Sequence, residues 1–219
     1  MAKFFSSLIL SLVVAVISAS VPWLTTRINR WWLATGLVVG IVLSLLIAGL
    51  SLQVYPFTNF VVLLVALSSG ILLGRSMPAR TWPFLILLLV LSALDITQIV
   101  LSSSGAGASP ATHGAAIIPP PVQLIGNMFL ALPWGHFNIG IFDIFIIAAM
   151  AEHWRRRGAS WALAQAPGIT GIALAFAFLA FVYDGALPLI PFLTVGWLCS
   201  LALARSLSRQ RAPVPIAKG

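Results

Sequence analysis

Charge is what this sequence lacks most. Only 7 % of its 219 residues are Asp, Glu, Lys or Arg, against about 25 % in ordinary soluble domains. So few charges cannot cover a water-exposed surface, which excludes a soluble globular domain. Acidic residues are scarcest: Asp95, Asp143, Glu152 and Asp184 stand against twelve Lys and Arg. There is one cysteine, Cys199, inside an apolar run. An intrachain disulfide and a cysteine-based metal site are therefore excluded, and Cys199 reads as a packing residue. Phosphate-binding loops, dinucleotide fingerprints and Ser/His nucleophile arrangements are missing as well.

What the chain has instead is long apolar runs. Sixty per cent of it is hydrophobic, and its mean hydropathy is +1.07. A helix that spans a bilayer needs about 20 mostly apolar residues. Seven stretches qualify: 4–24, 32–52, 57–75, 82–101, 137–154, 168–184 and 187–205. Backbone in lipid must satisfy its own hydrogen bonds, so these are predicted to be helices. Pro83 and Pro167 stand at predicted helix starts, where proline is tolerated. The first stretch resembles a signal peptide, with Lys3 ahead of it and Ser18-Ala19-Ser20 at its end. Its length and the following Arg27 and Arg30 favour a retained helix. The expected fold is thus an all-α integral membrane protein of about seven transmembrane helices.

The net charge of +8 does not point to nucleic acid, because the basic residues form short clusters between apolar runs. Eleven of the twelve fall on one side of a seven-helix arrangement, Lys3 being the exception. Positive charge stays inside, so the N-terminus is expected outside and the C-terminus in the cytoplasm, in a multi-pass protein of the cell membrane. Trp23, Trp31, Trp32, Trp82, Trp134 and Trp154 cluster at predicted helix ends, as interfacial anchors do. Gly36/Gly40 and Gly70/Gly74 have the spacing that lets helices approach closely. Three parts follow: three helices over 1–75, four over 76–206 with an outer loop at 102–136, and a tail at 207–219. Within the loop, Val122–Trp134 is apolar but too short to span, and reads as a re-entrant or interfacial segment.

Two acids lie within apolar helices. An Asp at the centre of a spanning helix costs roughly 2.5–3.5 kcal/mol on insertion scales and marks a functional site by default. Asp95 and Asp143 are each predicted about six residues, roughly 9 Å, below the outer boundary, on consecutive antiparallel helices. Neither has an embedded Lys or Arg to neutralise it. Two close carboxylates in low dielectric share one proton and titrate as a unit. That state suits activation of a water, and equally a proton relay or cation site. Glu152, next to His153 and an arginine cluster, reads as a solvated or ion-paired rim residue, and Asp184 as a turn residue. His113 and His136 are too few and too scattered for zinc.

The order of motifs around the two acids resembles the presenilin and signal peptide peptidase family of intramembrane aspartyl proteases. Leu94-Asp95 matches the first catalytic Asp of that family. Gly140-Ile141-Phe142-Asp143 matches its Gly-x-Gly-Asp motif, and Gly185-Ala186-Leu187-Pro188 its Pro-Ala-Leu motif. Leu94, Phe142 and Gly185 stand where the family carries Tyr, Gly and Pro. The resemblance covers roughly 82–205. It implies a presenilin-like bundle lacking the first helices of larger members, with Asp95 and Asp143 as the catalytic dyad. It also implies that Gly140, Ala186, Leu187 and Pro188 engage substrate, that transmembrane proteins or peptides are the substrates, and that no cofactor or metal takes part. Two alternatives remain open: a small proton- or cation-coupled transporter using the same acids, and an inactive relative that binds membrane helices.

Overall fold

Apolar runs of this length close their backbone hydrogen bonds as helices, and the described residues of the computed structural model are helical apart from one strand pair and short connections. It describes residues 2–49, 57–103, 129–131, 138–181 and 188–210. Seven helices occur among them: α1 (Ala2–Arg27), α2 (Arg30–Gly49), α3 (Phe57–Ser76), α4 (Thr81–Ser103), α5 (Ile141–Arg156), α6 (Trp161–Phe181) and α7 (Leu189–Gln210). Strands β1 (Phe129–Ala131) and β2 (Asn138–Gly140) pair antiparallel just ahead of α5, with Phe129 opposite Gly140. Four helices carry segments long and apolar enough to cross a membrane: Arg30–Ile47, Asn59–Ser76, Trp161–Leu179 and Leu189–Leu207.

The hub of the bundle is α5. It touches α1, α3, α6 and α7, and its side chains are buried without a break from Ile146 to Trp154. A helix enclosed on all sides is the physical counterpart of an apolar run with no polar face. The glycine pairs act as their spacing suggests. A Cβ on Gly74 would lie 2.7 Å from the Ala149 carbonyl oxygen and 2.9 Å from the Glu152 Cβ, and one on Gly70 would collide with the Phe145 carbonyl. Gly36 and Gly40 seat α2 on Ser68 and Val65 of α3 in the same way. Gly74→Val should therefore cost about 1–3 kcal/mol, seen as a lowered unfolding midpoint in detergent.

Several boundaries differ from expectation. Helix α6 begins at Trp161 rather than 168, and Pro167 lies inside it. The reason is Ser160, whose hydroxyl accepts the Leu163 N–H (3.3 Å) and whose carbonyl accepts that of Ala164 (2.9 Å). A capped helix start outweighs a proline nearly two turns later. Residues 138–140 are strand rather than helix, so α5 starts at Ile141. It ends in a Schellman arrangement. Gly158 adopts φ 73°, its N–H bonds the Arg155 carbonyl, and the Ala159 N–H bonds that of Trp154. Of the apolar segment 122–134, Phe129–Ala131 is a strand, because β2 supplies its hydrogen-bonding partner.

Three side chains are also placed differently. Cys199 is exposed on the outer face of α7, not packed. Trp154 is buried against Trp197, with ring centroids 5.2 Å apart, and anchors no interface. Glu152 is ion-paired but fully buried (0 % exposed), so it is no rim residue. Its carboxylate accepts Arg75 Nε (3.2 Å), Arg155 Nε (2.8 Å) and Arg155 Nη2 (2.8 Å). Arg75 Nη2 donates to the carbonyls of Thr25 (2.9 Å) and Ile28 (3.0 Å). Arg156 Nη1 donates to those of Gly74 (3.2 Å), Arg75 and Met77 (2.8 Å). The unpaired carbonyls where α1 and α3 end are thus bound by arginines of neighbouring helices, which ties the C-terminal ends of α1, α3 and α5 together.

Candidate active site at the N-terminal ends of α5 and α7

Asp143 occupies the first turn of α5, its third residue. This is nearer the helix start than the six residues expected, because the chain before Ile141 is strand. Its Oδ2 accepts the Gly140 backbone N–H at 3.1 Å, half of a capping box closed without a cap side chain. Gly140 is extended, with φ −65° and ψ 149°. A Cβ there would approach Asp143 Oδ2 to 3.2 Å, so a glycine suits the turn that presents the carboxylate.

Asp95 sits on the inner stripe of α4, in line with the buried Phe84, Leu88 and Ser92, at the spacing of one helix face. Its Oδ2 accepts the Ile190 backbone N–H at 3.2 Å. Ile190 is the second residue of α7, so Asp95 caps a different helix across space and supplies one of its orphan donors with an acceptor. Ser92, one turn earlier, shares a buried 2.8 Å hydrogen bond with Thr194, one turn later in α7. Thr194 also donates to the Ile190 carbonyl at 3.0 Å. Two polar ties one turn apart thus clamp α4 to the start of α7.

Asp95 and Asp143 lie within electrostatic reach of each other. Their helices are not each other's main partners, because α4 packs chiefly on α7. The two helices meet deeper in the bundle, where Phe84 and Leu88 join Ile146, Ile147 and Met150 in one cluster. No embedded cation is required by this arrangement. Each carboxylate faces a helix N-terminus, Asp143 that of α5 and Asp95 that of α7, and each such end carries about half a positive charge. Among the described residues, Oδ1 of each Asp has no hydrogen-bond partner.

Of the other residues singled out, Gly140 is in contact with Asp143, and Pro188 is half-buried immediately ahead of α7, two residues from the Asp95 contact. Ala186 and Leu187 fall outside the described residues, as do Asp184, Gly185, His113, His136 and Trp134. Two of the residues that depart from the motif pattern turn outward: Phe142 is 54 % and Leu94 60 % exposed. The contributions of Ile190, Ser92 and Thr194 were missed from the sequence. Ser92 and Asp95 at i, i+3, with Ile190 and Thr194 at i, i+4, are the face spacings that carry the signal. No group of three metal-ligating side chains occurs among the described residues. Comparison with known protein families, with curated proteins and with solved structures finds no match for this chain.

Proposed function

We propose that this is an intramembrane aspartic endopeptidase resembling the presenilin and signal peptide peptidase class, cutting peptide bonds within transmembrane segments of other proteins. The chain would cross the bilayer seven times, with its arginine-rich end in the cytoplasm. The observation that carries this reading is that two acids of an apolar bundle each bond the start of a helix, Asp143 that of α5 and Asp95 that of α7 beside Pro188.

In this mechanism the dyad holds one proton. The ionised carboxylate takes a proton from water, and the water oxygen attacks the scissile carbonyl carbon. The protonated carboxyl passes its proton to the carbonyl oxygen, giving a neutral gem-diol. Collapse breaks the C–N bond as a proton returns to the amine, leaving an acid and an amine and regenerating the dyad. Gly140 and Pro188, with Ala186 and Leu187, would receive the unwound substrate.

The test is reconstitution of the purified chain with a labelled transmembrane peptide, with and without a gem-diol-mimicking inhibitor. Inhibitor-sensitive cleavage is expected. Proton or cation flux without cleavage would establish the transporter reading instead, and peptide binding with neither the inactive one. Within the protease reading, Thr194 positions Asp95 through α7. Thr194→Val should lower kcat about tenfold with little change in KM, and Thr194→Ser should restore it.

A further inference from the structure

The opposite end of α5 carries a second site. Arg155 lies roughly 18 Å along the helix from Asp143. There a cavity of about 350 Å³ is lined by Arg30, Arg75, Ser76, Glu152, Arg155 and Arg156, a volume in the range of small-ligand sites. Four guanidiniums face one carboxylate, which leaves a surplus of three positive charges. The contacts already described hold three of these arginines in place without exhausting them. A guanidinium has five N–H donors. Among the described residues, Nη1 of Arg75, Nη1 of Arg155, and Nε and Nη2 of Arg156 have no protein acceptor, and the Arg30 side chain has none at all. The cavity therefore presents preorganised, unused donors to an anion.

The depth of the cavity says which anion. Arg30 is followed by Trp31 and Trp32, both strongly exposed, and exposed Trp23, Trp82 and Trp161 stand at the same end of the bundle. Exposed tryptophans of this kind mark the headgroup level of a bilayer. Below Arg30, α2 presents exposed Val38, Val42 and Leu45, an apolar track for acyl chains. The geometry points to a binding site for the phosphate of an anionic phospholipid headgroup. Arginine forks match phosphate oxygens, and basic pockets between helices at this depth bind such headgroups. The site is independent of the proteolytic reading and shares no residue with the Asp pair.

Native mass spectrometry of the detergent-solubilised full chain, offered equal phosphatidylglycerol and phosphatidylcholine of matched chains, tests this. One phosphatidylglycerol should be retained about tenfold more than phosphatidylcholine. Arg30→Gln should reduce that preference to under about twofold, and Arg30→Lys, which keeps the charge, should retain at least part of it. The melting temperature in phosphatidylcholine should be the same for all three proteins, since Arg30 takes no part in the arginine–carbonyl contacts. Equal retention of the two lipids, or unaltered selectivity in Arg30→Gln, would overturn the site. Displacement of the lipid by millimolar inorganic phosphate would overturn its assignment to a lipid. If Arg30→Gln melts lower, the folded wild-type protein alone decides, because equal retention of the two lipids by it rejects the site.

Discussion

On the proposed proteolytic reading, cleavage of a transmembrane peptide by the Asp143→Asn protein should fall by roughly 10⁴-fold, with unchanged thermal stability. Asparagine keeps an oxygen that can accept the Gly140 N–H, the bond Asp143 makes at 3.1 Å. The start of α5 thus stays capped while the ability to exchange a proton with water is gone. The same holds for Asp95→Asn, whose amide oxygen can still accept the Ile190 N–H. Because two acids sharing one proton act as a unit, the double variant should be no worse than either single one. Initial rates in proteoliposomes, set beside melting curves, separate chemistry from folding. Either single variant retaining more than a tenth of wild-type activity would remove that residue from the dyad.

The second large effect is on stability. Glu152→Ala should destabilise the bundle by about 2–4 kcal/mol. Breaking a fully buried ion pair from one side costs about 3–5 kcal/mol, because a charge is left without its partner. Glu152 is fully buried, but the Arg75 and Arg155 side chains keep 20 % and 33 % exposure, and water will take over part of what the carboxylate supplied. Truncation also loosens Arg75, which ties the end of α1 to α3 through the Thr25 and Ile28 carbonyls. Reversible unfolding in mixed micelles reads the loss directly. Glu152→Gln, which keeps the volume and one accepting oxygen but sets an NH2 against an arginine donor, should lose less. An Ala variant as stable as the wild type would show that the arginines re-pair at no cost.

The two effects sit at opposite ends of α5, and the sequence was unequally informative about them. Apolar runs and arginine-bearing gaps were enough to mark where helices lie, because backbone in a low-dielectric medium has few alternatives to helix. Gly70 and Gly74 could be paired with a close helix approach for a similar reason: their spacing alone puts both on one face. Local chemistry at the chain breaks was harder to read. Ser160 starts a helix that runs through Pro167, and residues 138–140 become strand because a partner strand is available. Both outcomes turn on competition between neighbouring signals of similar size.

The burial of Glu152 could not be read from a charged cluster of ordinary appearance. It depends on Gly74 letting α3 come close enough for Arg75 to reach it. The outward turn of Phe142 and Leu94 is likewise a matter of helix rotation, which packing partners decide. By itself, the sequence determined that the chain forms apolar helices and that two of its few acids lie within them, since desolvation makes such residues rare. Only the tertiary structure decided that α7 would dock on α4 with its N-terminal N–H against Asp95. It also decided that Asp143 would stand in the first turn of α5 within electrostatic reach. Those contacts join residues far apart along the chain, and they exist only after whole helices have packed.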